Sequence, residues 1–201
     1  MSKAEYFNAC AGEWDRCPPP PPQIIDWILN LCRVGPGMTV LDLGSGTGIL
    51  LEPLLQRVGD RGRVWAVDIA PAMIEIARRK HADPRVTFRV GAAESLPLPD
   101  RSCHRVVCFR AFPHFSDKRQ ALREMGRVLR PGGWLIIGHV ESRRQVNQVH
   151  LDVGGEVAHD HLPTPAQLAS MAADAGLIPL SCWDGPAFAF LARQDEGSNG
   201  Q

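Results

Sequence analysis

The chain has 201 residues, a length that suits about one domain. Hydrophobic residues make up 44% of it and charged residues 22%, the balance of an ordinary globular chain. Its 22 Lys and Arg offset 22 Asp and Glu, which argues against a nucleic-acid binder that works by neutralising phosphates, though not against a local basic patch. No run approaches the roughly 18 apolar residues of a membrane helix, and the stretch from Met1 to Asn8 lacks the apolar centre of a secretion signal. Six cysteines without a Cys-x-x-Cys pair are expected to be separate reduced thiols, so the expected compartment is the cytoplasm.

Residues 1–22 read as a loosely anchored lead segment, an arm or lid, closed by the run Pro18 to Pro22, which favours polyproline II and stops any preceding helix. The main domain is expected over 23–193. It opens with an apolar helical stretch from Ile24 to Leu31, ended by Gly35-Pro36-Gly37. Strand and helix signals then alternate. Thr39 to Leu43, Arg63 to Val67, Val86 to Val90, Arg105 to Phe109 and Trp134 to Ile137 read as strands. Gly48 to Val58, a segment led by Pro71, and Asp117 to Leu129 read as helices. This alternation predicts an α/β fold, a mostly parallel sheet with helices on both faces.

The last third changes character. Residues 141–165 read as an insertion or lid on the acceptor side, with weak helical character from Ser142 to Val149. Thr164-Pro-Ala-Gln167 is a capping box for a helix running to Gly176. Leu177 to Cys182 and Ala187 to Ala192, separated by Trp183-Asp-Gly-Pro186, predict an antiparallel hairpin at the sheet edge. Residues 194–201 are expected to be a disordered tail.

The stretch richest in chemistry is Val40-Leu-Asp-Leu-Gly-Ser-Gly-Thr-Gly48. Glycines at 44, 46 and 48 permit a sharp turn between strand and helix and a close approach of backbone to ligand. Asp42 precedes the turn, and Asp68 ends the next strand, where an acid can accept hydrogen bonds from ribose hydroxyls. The spacing is GxGxG rather than the GxGxxG of a pyrophosphate cradle, so a nucleoside-bearing ligand is indicated and NAD stays an alternative at this level.

Taken together the motifs resemble those of class I S-adenosylmethionine-dependent methyltransferases, in particular the type 11 group, which includes quinone-biosynthesis and other small-molecule enzymes. The carriers are Val40 to Gly48, Val67-Asp-Ile-Ala-Pro-Ala-Met73, Gly91-Ala-Ala-Glu-Ser-Leu-Pro97, and Ala121 through Gly133, in the family's order. The resemblance covers about Ile24 to Val140 and implies a Rossmann-like sheet with S-adenosyl-L-methionine as cofactor. It implies that Gly44, Ser45, Gly46 and Gly48 line the methionine portion and that Asp68 holds the ribose. Ile69 would lie against the adenine, Ala93 and Glu94 at its edge, and Arg110 near the carboxylate or sulfonium. Ala92 departs from the family's frequent acid, so Glu94 or a backbone carbonyl must accept from the adenine, or affinity falls by about 1–3 kcal/mol. The Asn/Asp-Pro-Pro-aromatic signature is absent, with Phe109-Arg-Ala-Phe112 in its place, which lowers the case for methylation of DNA bases or glutamine.

The expected acceptor is a small molecule of unspecified identity. Tyr6, Trp14, Phe112 and Phe115 are candidate aromatic faces for the sulfonium. His114, His150 and His161 are the catalytic candidates; His139 and Glu141 end the fifth strand on the same edge, and His81 and His104 look structural. His159 and His161 would share a face in an extended segment and with His150 form a metal set, against the simpler reading of polar loop histidines. The alternative to an enzyme is a non-catalytic cofactor-binding or metal-handling protein on the same fold. Nothing in the sequence specifies an oligomeric state.

Overall fold

A computed structural model of the chain describes residues 1–196. The expected apolar runs pair into one sheet of seven strands. β1 (Thr39–Leu43), β2 (Arg63–Asp68), β3 (Val86–Val90), β4 (Cys103–Phe109) and β5 (Leu129–His139) are mutually parallel. β6 (Leu177–Asp184) and β7 (Phe188–Gln194) form the expected antiparallel hairpin, and β7 inserts between β5 and β6. The order is β3-β2-β1-β4-β5-β7-β6, so the chain reverses its direction of travel across the sheet between β1 and β4. A parallel α/β sheet opens a crevice at such a switch, beyond the carboxyl ends of the strands.

Seven helices flank the sheet: α1 (Lys3–Cys10), α2 (Pro22–Leu31), α3 (Leu51–Val58), α4 (Pro71–Lys80), α5 (Lys118–Val128), α6 (Arg143–Val153) and α7 (Pro165–Asp174). Alternation along the strands assigns them to faces. Val40, Val107 and Ile136 point to one side, where α2, α3 and α4 bury Ile28, Leu54 and Ile74. Leu41, Val106 and Ile137 point to the other, where α5, α6 and α7 bury Leu122, Val146 and Leu168. Both faces of the strands are thus apolar, as a doubly covered parallel sheet requires.

Four local differences from expectation appear, three of them with a cause in the local backbone or packing. Helix α3 starts at Leu51 rather than Gly48, because Gly44, Gly46 and Gly48 all take positive φ (73°, 52° and 93°) and a helix cannot begin on such backbone. The lead segment is anchored: Ser2 and Glu5 form a capping box that starts α1, and Phe7 and Ala11 pack on Ala70 and Met73 of α4. A second capping box, Ser142 with Gln145, makes a full helix of the weakly helical stretch. Gln194, expected in the tail, ends β7 instead, and residues 197–201 lie outside the described part.

Helix α2 closes one face, and its Ile28 is completely buried against Gly138 of β5. Ile28→Ala is therefore expected to cost about 2–5 kcal/mol, seen as a lower urea midpoint with an unchanged slope.

Candidate active site

The crevice at the switch point is a cleft with about 600 Å³ of empty space, its open mouth included. Its floor comes from the strand ends and the turns after them: Leu43 and Gly44, Asp68 and Ile69, Gly91 with Ala93 and Glu94, and Arg110 to Ala111. One wall is His114, Phe115 and Ser116, and the N-terminal segment closes the other with Lys3, Phe7 and Trp14.

The glycine turn is held by β2. Gly44 N–H and Ser45 N–H both donate to the Val67 carbonyl, at 2.8 and 3.1 Å. Asp68 takes Gly46 N–H on Oδ2 at 2.8 Å and Ala70 N–H on Oδ1 at 2.9 Å. Each oxygen keeps further acceptor capacity for a ligand hydroxyl. Gly44 is required by packing as well as by its φ: a Cβ there would lie 2.3 Å from the Ala111 Cβ. This brings the ends of β1 and β4 together and sets the width of the crevice. Arg110 also has a positive φ, 58°, and its N–H donates to the Gly138 carbonyl at 2.8 Å, which ties the β4 exit to β5.

Asp42 is 2% exposed and its Oδ2 has no hydrogen-bond partner; Ser45 Oγ is likewise buried and unpartnered. Burial, reinforced by the neighbouring Asp68, pushes the Asp42 carboxyl up to about 8. Burial also raises Asp68, against the opposing effect of its backbone N–H donors.

Beside His114, the polar network centres on Asp160. Lys3 Nζ donates to both of its oxygens, at 2.6 and 2.7 Å, and the His114 ring contacts Oδ2 through Nδ1 at 2.7 Å. The Asp160 carbonyl accepts from His150 Nδ1 at 2.5 Å, and the His114 and His150 rings lie 4.8 Å apart. Burial opposes ionisation of Asp160, but the bonds from His114 and Lys3 outweigh it and hold the carboxyl below the usual range. Burial pulls the His114 pKa down despite the carboxylate beside it. His139, 3% exposed with Nε2 unpartnered, is driven down to about 3, chiefly by burial and then by the neighbouring His114, Arg110 and His150.

Most of the expected site residues meet here, but not all. Gly44, Asp68, Ile69, Ala93, Glu94, Arg110 and His114 line the cleft; Asp42 and Ser45 lie beneath it, and His150 stands behind His114. Gly48 stands beside His81 and Leu51, outside the residues that line the cleft. His161 is a correction: with His159 it faces a separate open cleft beside Lys118 and Arg119, because the intervening Asp160 takes the inward position. Among the described residues no three His, Cys, Asp or Glu side chains come together as a metal site. Phe112 is core, Trp14 and Phe115 line the cleft, and Phe7 does so in place of Tyr6. His104 is structural as expected, its Nδ1 accepting from Thr39 N–H at 2.9 Å. Lys3 and Asp160 were missed. Both are lone charges far apart in sequence, and only the fold makes them neighbours.

Residues 40–133 match the family model described as a methyltransferase domain. The chain is 37% identical over 115 residues to a ubiquinone/menaquinone biosynthesis C-methyltransferase of Legionella pneumophila, covering 55% of this chain and 46% of that one. Over these residues the chain is similar to methyltransferase domains, and the curated relatives it matches are named as methyltransferases. It spans about half the length of the curated relatives it matches. Two solved structures share the fold of this chain. One, from Haloferax volcanii, is in complex with the Trm112 methyltransferase activator (22% identity, TM-score 0.77, 94% of this chain and 97% of that one). The other is a methyltransferase from Aquifex aeolicus (24% identity, TM-score 0.70, 84% and 88%).

The cleft fits the family's cofactor. Asp42 Oδ2 and Ser45 Oγ are buried polar atoms awaiting partners, and Asp68 and Glu94 offer carboxylates at the floor. One oxygen of Glu94 already accepts from Asp117 N–H at 3.1 Å, which fixes the side chain where the family's acid is missing at Ala92.

Two predictions follow from this geometry. Asp42 holds a proton in the folded protein that it loses on unfolding at any pH between about 4 and 8, so its contribution to stability falls as pH rises through that window. The depressed His139 acts in the opposite sense, but only below about pH 6.5. Between pH 6.5 and 8 the wild type should lose roughly 1–2 kcal/mol, and urea titrations of Asp42→Asn should show most of that slope gone. Lys3→Met should raise local opening of α1 by roughly tenfold or more, the worth of a charge-assisted pair at about 1.5–3 kcal/mol. Hydrogen exchange of α1 amides reads this, with exchange in β1 and β4 little changed.

Proposed function

We propose that this chain binds S-adenosylmethionine at the β1–β4 crevice and transfers its methyl group to a small molecule. The observation that carries the reading is the positive-φ glycine turn latched to Asp68 at the one switch point of the sheet. When bound, the cofactor supplies an electrophilic methyl on a sulfonium. The protein's share is to hold, orient and exclude water. Asp68 would hold the ribose hydroxyls, Ile69 the adenine face and Glu94 its edge. Asp42 and Ser45 would serve the methionine end. Phe7, Trp14 and Phe115 are aromatic surfaces for a cation at the cleft.

The N-terminal segment supports a small acceptor, because it roofs the cleft and is pinned along its length. Thr47 Oγ1 donates to Asp15 at 2.6 Å, Lys80 pairs with Asp15 at 2.9 Å, and Ala72 N–H donates to Asn8 at 2.9 Å. We read it as a lid. A zero net charge supports an acceptor other than nucleic acid. Among the described residues no helix is long and apolar enough to cross a membrane. Six free cysteines suit the reducing cytoplasm.

Calorimetric titration of S-adenosylmethionine and S-adenosylhomocysteine tests the reading. Micromolar binding by the wild type is expected, weakened at least tenfold in Asp68→Ala through loss of charge-assisted hydrogen bonds of about 1.5–3 kcal/mol. Absence of binding by the wild type would refute it.

A further inference from the structure

Resting on that reading, we infer that His114 is the general base of the reaction, that Asp160 is its positioning residue, and that the acceptor attacks through an atom which must shed a proton, such as a hydroxyl, a thiol or an enolisable carbon. The argument begins with the tautomer. Asp160 presents an ionised carboxylate, which only accepts, so the 2.7 Å contact with His114 requires the proton on Nδ1. A neutral imidazole then carries its lone pair on Nε2, and among the described residues that nitrogen takes no hydrogen bond. The ring lines the same cleft as Gly44 and Asp68. A carboxylate that fixes the tautomer and supports the imidazolium, beside a free basic nitrogen in a cofactor cleft, is the arrangement of a general base.

The surroundings suit that role. The titratable groups around His114 and Asp160 are Lys3 and Tyr6 from α1, His150 from α6, Lys118 from α5, and His139 at the end of β5, itself beside Arg110. Burial first, then His150 and Lys3, outweigh the Asp160 carboxylate and hold the His114 imidazole below its ordinary value, neutral near pH 7 and ready to take a proton. Lys3 shares the carboxylate, so the base is assembled only when the N-terminal segment is down over the cleft. The step balances simply. The acceptor atom gives its proton to His114 Nε2 and forms a bond to the methyl carbon. The sulfur–carbon bond breaks with its electrons returning to sulfur, and His114 then releases the proton to solvent. An acceptor that is already anionic needs no such base.

The test uses the full chain, methyl-labelled S-adenosylmethionine, and two probe acceptors, a hydroquinone that is protonated at pH 7 and an acidic aryl thiol that is ionised there. Calorimetry with S-adenosylhomocysteine on each variant first establishes that the cofactor half is intact. His114→Gln should cut transfer to the hydroquinone by about 10²–10⁴-fold while leaving transfer to the thiolate and cofactor affinity nearly unchanged. Asp160→Asn should lower kcat for the hydroquinone and shift the acidic limb of its pH profile, with the thiolate again spared. Equal losses for both acceptors would assign His114 and Asp160 to structure and overturn the proposal. So would a wild type that binds cofactor and methylates neither the hydroquinone nor the thiolate. Failure to bind cofactor at all would instead fall on the underlying reading, and the proposal would fall with it.

Discussion

The site depends on one constraint, the need to turn the chain sharply at the end of β1 without losing the backbone donors of the turn. Val67 and Asp68 meet it. The Val67 carbonyl receives two N–H groups of the turn and the Asp68 carboxylate a third, so the glycine backbone is stitched to the end of β2. Ala111, packed where a Cβ of residue 44 would stand, brings β4 up to the same point. The width of the crevice, the aim of Asp68 and the approach of His114 all follow from that junction.

Around this rigid floor the structure places two kinds of polar group. Beneath it, Asp42 and Ser45 are buried with polar atoms unpartnered, a cost of about 1–3 kcal/mol each when nothing satisfies them. Such groups persist where a ligand completes them, and the stability they cost is the counterpart of binding. Above it, Asp160 is fully engaged, with two donors on its carboxylate and one on its carbonyl. The floor therefore keeps unpartnered polar atoms, while the wall at His114 and Asp160 has its carboxylate paired on both oxygens.

The N-terminal segment joins the two. Its polar anchors reach the glycine turn through Asp15, the start of α4 through Asn8, and the wall at Asp160 through Lys3. These three anchors tie the segment to both sides of the cleft at once. Movements of segments that cover a cleft commonly gate access and product release in enzymes that must exclude water.

Much of this was determined by the sequence itself. Apolar runs buried on two faces, glycines at 44, 46 and 48, and acids at 42 and 68 specify a parallel sheet and a cofactor turn, because they act through neighbours along the chain. The capping boxes at Ser2 and Ser142 are local signals too, but ones passed over in the sequence, and they explain why the lead segment and the 143–153 stretch are helices. What only the tertiary structure decided is the wall at His114 and Asp160. His159, Asp160 and His161 alternate in and out, and no local pattern says which way the alternation runs. The fold turns Asp160 inward because Lys3, from the opposite end of the chain, and His114 offer it donors, while the two histidines find only solvent. A charge that is buried must be paired, and its partners come from wherever the fold brings them.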